Sequence, residues 1–364
     1  MKINKSGAEF SSIVSIGENL KKLSQESGLE YIYLNRGVNA VCSINLTPVI
    51  SRIDFNSTRI QNYPPNSGFI ELREAINKNY FNSLSKSNKI SIAPGGMACL
   101  DLILKTLDLE NLYYNQYYWG SYRELGVINK LNCNTYKTLD DIKILGQNSA
   151  ILICDPSNPV GNKYDDEYIF NQIERMANYG GTIIFDCPYR RLFIEDNEFY
   201  TRLLKYDNVI ITESFSKCMG LSGQRIGFIH SNNEEFNKEL DINILYSTNG
   251  VNAFAQELVL NLLDTEQGYK EVLKFREVTA ENIKKNLEWL SNNDMLYDEL
   301  YKDSSPLGIF AIVNINHDKL TENRIGSVPL SHFCDIDCPD YSRICVSIPH
   351  NKFVEFFSKI KNKF

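Results

Sequence analysis

No run in this 364-residue sequence approaches the ~18 consecutive apolar residues that a membrane-spanning helix needs. Its opening, MKINKSGAEF, has no apolar stretch of the kind a secretion signal carries, so the expectation is a cytoplasmic protein. A basic excess is also missing. Lys and Arg number 38 against 45 Asp and Glu, and a net charge of −7 argues against nucleic acid as a partner, because phosphate binding rests on a basic surface. There is no C-x-x-C. Nine scattered cysteines, an odd number, read as reduced thiols and not as a disulfide framework. His332, Cys334 and Cys338 form a loose group, but the spacing is wide and no further ligand pair is visible, so no metal site is expected. No G-x-G-x-x-G follows a strand-like run, which leaves a nucleotide-dependent α/β enzyme or a non-catalytic effector-binding module without support. Repeats, low-complexity segments and a Pro/Gly/Ser-rich linker are absent too, so domains must be inferred from pattern.

What is present is an ordinary globular composition, 43% hydrophobic and 23% charged, in a chain long enough for two domains. From about residue 70 to 240, helical stretches alternate with short apolar runs such as KISIAP, SAILICDP, GTIIFDCP and NVIITES. That alternation predicts an α/β domain, a mostly parallel central sheet flanked by helices. A helix is expected over about 166–179. After about 250 come long helical patterns, over about 251–264 and 267–292, then strand-like GIFAIVNI and SRICVSI and a last amphipathic helix. We expect a large domain over 46–250 and a smaller α+β domain made of 1–45 and 251–364.

Several strand-like runs end in polar punctuation: Gly95-Gly96, Asp155 to Pro159, Asp186 to Tyr189, and Ser214 to Lys217. Open α/β sheets bind ligands at the carboxyl ends of their strands, so this edge is the candidate site. Gly95-Gly96 just before a helix opening near Met97 would present N–H groups and a positive helix end to a phosphate, with Ser214 and Arg225 beside them. Alone, the glycine pair is more often a turn, and Asp186 alone reads as a cap or turn former. Lys217 changes the balance, because a lysine amine condenses with an aldehyde. A phosphate cup, a lysine and a strand-end aspartate together point to pyridoxal phosphate, whose ring nitrogen wants an acidic partner.

The sequence resembles the class I/II aminotransferases among fold-type I pyridoxal-phosphate enzymes, over most of its length. SKCMGLSGQRIGF is similar to the family's S-K-x-x-G-L-x-G-x-R-x-G element, DPSNPVG to its N-P-x-G, and DCPYRRL, YYWGSY and YPPNSG to further family segments. The resemblance implies that Lys217 holds the cofactor, and that Ser214, Ser216, Arg225, Gly95, Gly96 and the N–H of Met97 bind its phosphate. It makes Asp186 the partner of the ring nitrogen, Asn158 and Tyr189 donors to the ring's hydroxyl oxygen, and Trp119 a ring-stacking residue. It assigns Tyr63 to the phosphate of a neighbouring subunit, hence a homodimer, and Arg343, Gly37 and Asn158 to substrate. Cys187-Pro188, Tyr117, Met97 and Asn39 depart from common family residues, and they bear on substrate identity.

These roles imply an aminotransferase that takes its amino group from L-glutamate for a biosynthetic pathway, with Lys217 moving the proton at the substrate's Cα and Arg343 gripping the α-carboxylate. A decarboxylase, cyclase or oxidase on the same scaffold is the alternative, since relatives differ mainly in which Cα bond breaks. The acceptor is expected to be a small keto acid or ketone, and a length close to that of histidinol-phosphate aminotransferases and threonine-phosphate decarboxylases adds a phosphorylated one as an option. No second substrate arginine is assignable: Arg36, Arg123, Arg190 and Arg191 are all open.

Overall fold

The structure, a computed structural model, describes residues 1–361. Its centre is a seven-stranded sheet of β1 (Ile90–Ala93), β2 (Asn111–Asn115), β3 (Asn132–Tyr136), β4 (Ser149–Cys154), β5 (Thr182–Asp186), β6 (Val209–Ser214) and β7 (Gly227–Ser231), in the order β1-β7-β6-β5-β4-β2-β3. Only β7 runs against the others. The central strands are apolar on nearly every residue because both faces are covered, as parallel strands under helices must be. Alternation sorts their side chains. Ile183 and Phe185 enter a core formed with α2 (Ile70–Phe81), α5 (Asp166–Ala177) and α7 (Ala253–Asp264). Ile184 and Ile210 enter the opposite core, under α3 (Gly96–Thr106), α4 (Gly120–Ile128) and α6 (Glu234–Ser247).

Helix α5 shows how the local sequence sets these elements. The Asp165 side chain accepts from the amides of Glu167 and Tyr168 at 2.9 and 3.3 Å, capping the helix's amino end. The helix ends at Ala177, short of the expected 179, and Gly180 turns the chain at φ +82° toward β5.

A second core lies beyond α7. It joins α8 (Glu266–Ser291) and α9 (His350–Lys361) to a three-stranded antiparallel sheet of β8 (Phe310–Val313), β9 (Val328–Pro329) and β10 (Ser342–Cys345), with β10 central. Helix α7, in the stretch grouped by sequence with this smaller unit, buries Leu258, Val259 and Leu262 in the large sheet's core. The N-terminal helix α1 (Ser12–Ser27) leads to Ile32–Tyr33, which pairs in parallel with Ile325–Gly326 and so fastens the N-terminal segment to the C-terminal part.

Strand register is what builds the site. Cys154 lies opposite Asp186, and Asp186 opposite Thr212, so β4 and β5 end level and β6 runs two residues further. The polar segments after them therefore emerge along one edge. Asn35 to Gly37 and β10 close over that edge from the second core.

Candidate active site

Asp186 ends β5 and is 4% exposed. Its Oδ2 accepts from Tyr122 Oη at 2.7 Å, and no cation pairs with it among the described residues. Burial pushes its carboxyl up to about 7, against the pull of the tyrosine hydrogen bond. Lys217 lies in the short helix Phe215–Cys218 that follows β6, and its Nζ donates to the backbone oxygen of Gly37. No carboxylate pairs with it among the described residues. Burial first, then the charges of Arg343 and Arg225, hold its amine below the ordinary lysine range.

The glycine pair, the serines and Arg225 come together as the sequence predicted. A Cβ on Gly95, at φ +82°, would lie 2.7 Å from Arg225 Nη2, and one on Gly96 would lie 3.4 Å from Ser214 Cβ. Gly95 caps α3, so the helix's positive end lies beside the arginine. The helix opens at Gly96, and Met97, 39% exposed, is its second residue. Ser214 Oγ donates to Ser216 Oγ at 2.9 Å and accepts from the Ser216 amide at 3.3 Å.

Arg343, in the middle of the small sheet, is 2% exposed and lies between two rings, 4.2 Å from the centre of Phe310 and 4.4 Å from that of Phe333. Its Nη2 donates to the backbone oxygen of Asn35 at 2.6 Å and its Nη1 to Asn158 Oδ1 at 3.0 Å, while Nε is left without a partner. Asn158 in turn donates to Tyr189 Oη at 3.4 Å. A hydrogen-bonded chain thus runs from the arginine through both predicted hydroxyl-binding residues. Burial lowers the guanidinium to about 10, so even its charge is costly here without an anion. Gly37 is needed where it stands, since a Cβ would fall 2.5 Å from the Phe310 ring.

Residues 37–360 match the family aminotransferase class I and II. The chain belongs to this aminotransferase family. Its members are enzymes that depend on pyridoxal phosphate and convert small amino acids and keto acids. A probable aspartate aminotransferase of Methanocaldococcus jannaschii is 27% identical over 73% of this chain and 76% of its own. A tyrosine aminotransferase of Dictyostelium discoideum is 24% identical over 84% and 81%. The solved aspartate aminotransferase of Thermus thermophilus superposes over the whole of both chains with a TM-score of 0.85 at 16% identity, which establishes the fold-type I architecture. No helix among the described residues is long and apolar enough to cross a membrane.

The residues of this aminotransferase fit the family's cofactor. A phosphate suits the glycine cradle beside Arg225, an aldehyde suits a half-buried amine without an acid, and a basic ring nitrogen suits a buried carboxylate without a base.

Sequence reasoning gave no role to Tyr122, which lies in the first turn of α4, three residues after Trp119 at its cap. The two rings meet edge to face at 5.6 Å. The supporting roles of Asn35, Phe310 and Phe333 left no sequence signal, because each depends on a distant segment folding over. Tyr63 is 86% exposed and lines an open groove with Ile60, Pro64, Asn252 and Phe254, away from the other predicted residues. Cys334 and Cys338 bring their Sγ atoms to 3.4 Å while the His332 side chain stands exposed. Next to the site, a cavity of about 460 Å³ is lined by Tyr117, Tyr122, Cys154, Asn158, Tyr164 and Tyr168.

Proposed function

We propose that this aminotransferase transfers the amino group of L-glutamate to a small keto acid or ketone in a biosynthetic pathway. One observation carries the assignment of its site. A half-buried amine, Lys217, and a buried carboxyl, Asp186, stand at the ends of adjacent strands and do not pair with each other. In a low-dielectric interior such groups attract strongly, so leaving both unpaired fits a ligand that takes the amine at one end and the carboxylate at the other.

Pyridoxal phosphate, when bound, supplies an aldehyde that condenses with amines and a ring that draws electrons from the substrate's Cα. The chain's residues do the rest. Arg225, Ser214, Ser216 and the amides of Gly95, Gly96 and Met97 would hold the phosphate, and Trp119 would lie against the ring. Asp186, one oxygen of which accepts from Tyr122, would favour a protonated ring nitrogen, and Asn158 and Tyr189 would donate to the ring's hydroxyl oxygen. Arg343 presents a planar fork to the substrate's α-carboxylate, with Gly37 leaving room beside it. Lys217, its amine pKa lowered by burial, would take the proton from the substrate's Cα. Tyr63, exposed in one chain, would reach the phosphate of the partner subunit in a homodimer.

The test is the first half of the reaction. Cofactor-loaded protein given L-glutamate alone should release one 2-oxoglutarate per site, without carbon dioxide release or oxygen uptake. Carbon dioxide in step with turnover would mark a decarboxylase instead, and oxygen uptake an oxidase.

A further inference from the structure

All nine cysteines are free thiols, and one pair stands apart from the rest. Cys334 Sγ and Cys338 Sγ lie 3.4 Å from each other, and no other two sulfurs come within hydrogen-bonding reach among the described residues. A covalent S–S bond is ~2 Å long, so these two need to approach by only ~1.4 Å to join. One backbone oxygen already gathers them. Each sulfur lies 3.4 Å from the carbonyl of Ile336, midway between them in sequence. Neither thiol has a part in the site described above.

The pair belongs to the loop that joins β9 to β10, closed at its base where the Leu330 amide donates to the Tyr341 backbone oxygen at 3.0 Å. Asp335, Ile336, Asp337, Pro339 and Asp340 are all exposed, so the segment that carries the sulfurs lies at the surface. Of the three aspartates only Asp335 has a cation near it among the described residues, Arg123 at 3.8 Å. A negative rim of this kind disfavours an anionic oxidant such as oxidised glutathione and suits a small neutral hydroperoxide. The other end of the loop touches the site. Phe333, the residue before Cys334, places its ring 4.4 Å from the guanidinium of Arg343, and its backbone oxygen accepts from the Tyr118 amide at 2.9 Å, beside Trp119. A cross-link at Cys334 therefore pulls on the residue that carries the ring beneath Arg343.

We propose that Cys334 and Cys338 are a redox modification site, where a hydroperoxide joins them in a reversible disulfide that loosens the grip of Arg343 on a carboxylate. One thiol sulfur attacks the O–O bond of hydrogen peroxide, becoming a sulfenic acid and releasing the first water. The second sulfur displaces the hydroxyl as another water while the S–S bond forms, so both thiol protons end in water and the peroxide takes up the two electrons. Burial pushes the Cys338 thiol up to about 12, so little of it is ionised and closure takes sustained exposure to peroxide. The disulfide stands on the loop geometry alone, and its effect on binding rests on the role given to Arg343 above.

Mass mapping tests the first part. Cofactor-loaded protein would be incubated with hydrogen peroxide, its remaining thiols blocked with iodoacetamide and its tryptic peptides weighed without reduction. The peptide of residues 325–343 holds these two cysteines and no others. It should lose two hydrogen atoms, take up no blocking group, and regain both thiols with dithiothreitol. If peroxide leaves both thiols open to blocking, or carries them separately to sulfinic acids, the site is overturned. Calorimetry with butyrate, an unreactive monocarboxylate, tests the second part. Oxidised wild-type protein should bind it about 2- to 10-fold more weakly than reduced protein, the cost of disturbing one cation–ring contact. Cys338→Ser, treated alike, should show no change. Equal binding by oxidised and reduced wild type, or the same loss in Cys338→Ser, would overturn the link to Arg343. Failure of reduced protein to bind butyrate would count against the Arg343 assignment, and with it the link, while leaving the disulfide to the mass measurement.

Discussion

Two sets of arginines in this molecule are equally buried and oppositely furnished. On the outer side of the β5 end, Arg190 donates to Asp166 Oδ1 at 3.0 Å, reaches Asp155 at 3.4 Å and covers the Phe199 ring at 3.8 Å. Nearby, Arg276 donates to both Glu195 oxygens, at 2.9 and 3.1 Å, and to the Cys218 carbonyl at 3.0 Å. Across the strand ends, Arg343 is just as enclosed but donates only to neutral acceptors among the described residues. A buried cation paired with acids holds a fold in one arrangement, and one without an acid weakens the fold until an anion arrives. The buried carboxylates differ in how many hydrogen bonds they accept. Glu213 accepts from Tyr200 Oη at 2.9 Å and from the Ser214 amide at 3.1 Å, and Asp186 accepts from Tyr122 at 2.7 Å. Arg190 and Arg276 thus meet carboxylates, while Arg343 meets none among the described residues.

The sharpest way to break this contrast is Lys217→Ala. Loss of an essential group should lower the rate of glutamate-dependent 2-oxoglutarate release by about 10⁴-fold or more. Borohydride, which should link the cofactor to Lys217 in the wild type, should leave no adduct in the variant by peptide mass mapping. Substantial activity would mean that another group does the chemistry.

Arg190→Ala should act on the other side of the comparison. It strips one of two cations from Asp155, which is 1% exposed, and leaves it with the Tyr164 amide at 2.8 Å and Lys163 at 3.8 Å. Denaturant unfolding should show a loss of ~3–5 kcal/mol, the range for breaking a buried pair. A loss near zero would place Arg190 among the ligand-waiting groups.

Asp186→Asn should slow the half-reaction by about 10²-fold, the cost of removing one aimed electrostatic group. It also carries a pH signature. With its carboxyl raised from 3.8 to about 7, the cofactor-free protein keeps a proton there that the unfolded chain gives up. Stability is therefore lost as pH rises from about 4 through about 7, and is fully present below that window. Urea unfolding from pH 5 to 8 should show the wild type losing ground against Asp186→Asn, and parallel curves would refute the open-carboxylate picture.

The smallest effect sharpens the contrast most. Arg343→Leu removes a buried cation without an acid, so the cofactor-free protein should become slightly more stable, by ~1 kcal/mol, while binding of monocarboxylates is lost. Destabilisation by several kcal/mol would show that Arg343 holds the fold as Arg190 does.

The sequence by itself determined the edge and its chemistry. Apolar runs ending in Asp186, in Asn158-Pro159 and in Ser214 to Lys217 had to be strands whose ends carry the reactive groups, because side-chain period and punctuation are local properties. Only the tertiary structure decided how those groups are furnished. Asp186 is paired with Tyr122 across 64 positions and Arg343 with Asn35 across 308. Whether Arg190 is locked depends on where Asp155 and Asp166 come to lie. Pattern along a chain reports which faces are apolar. It carries no information on which charge meets which, because that is fixed by long-range packing and by the burial that makes each unpaired charge costly.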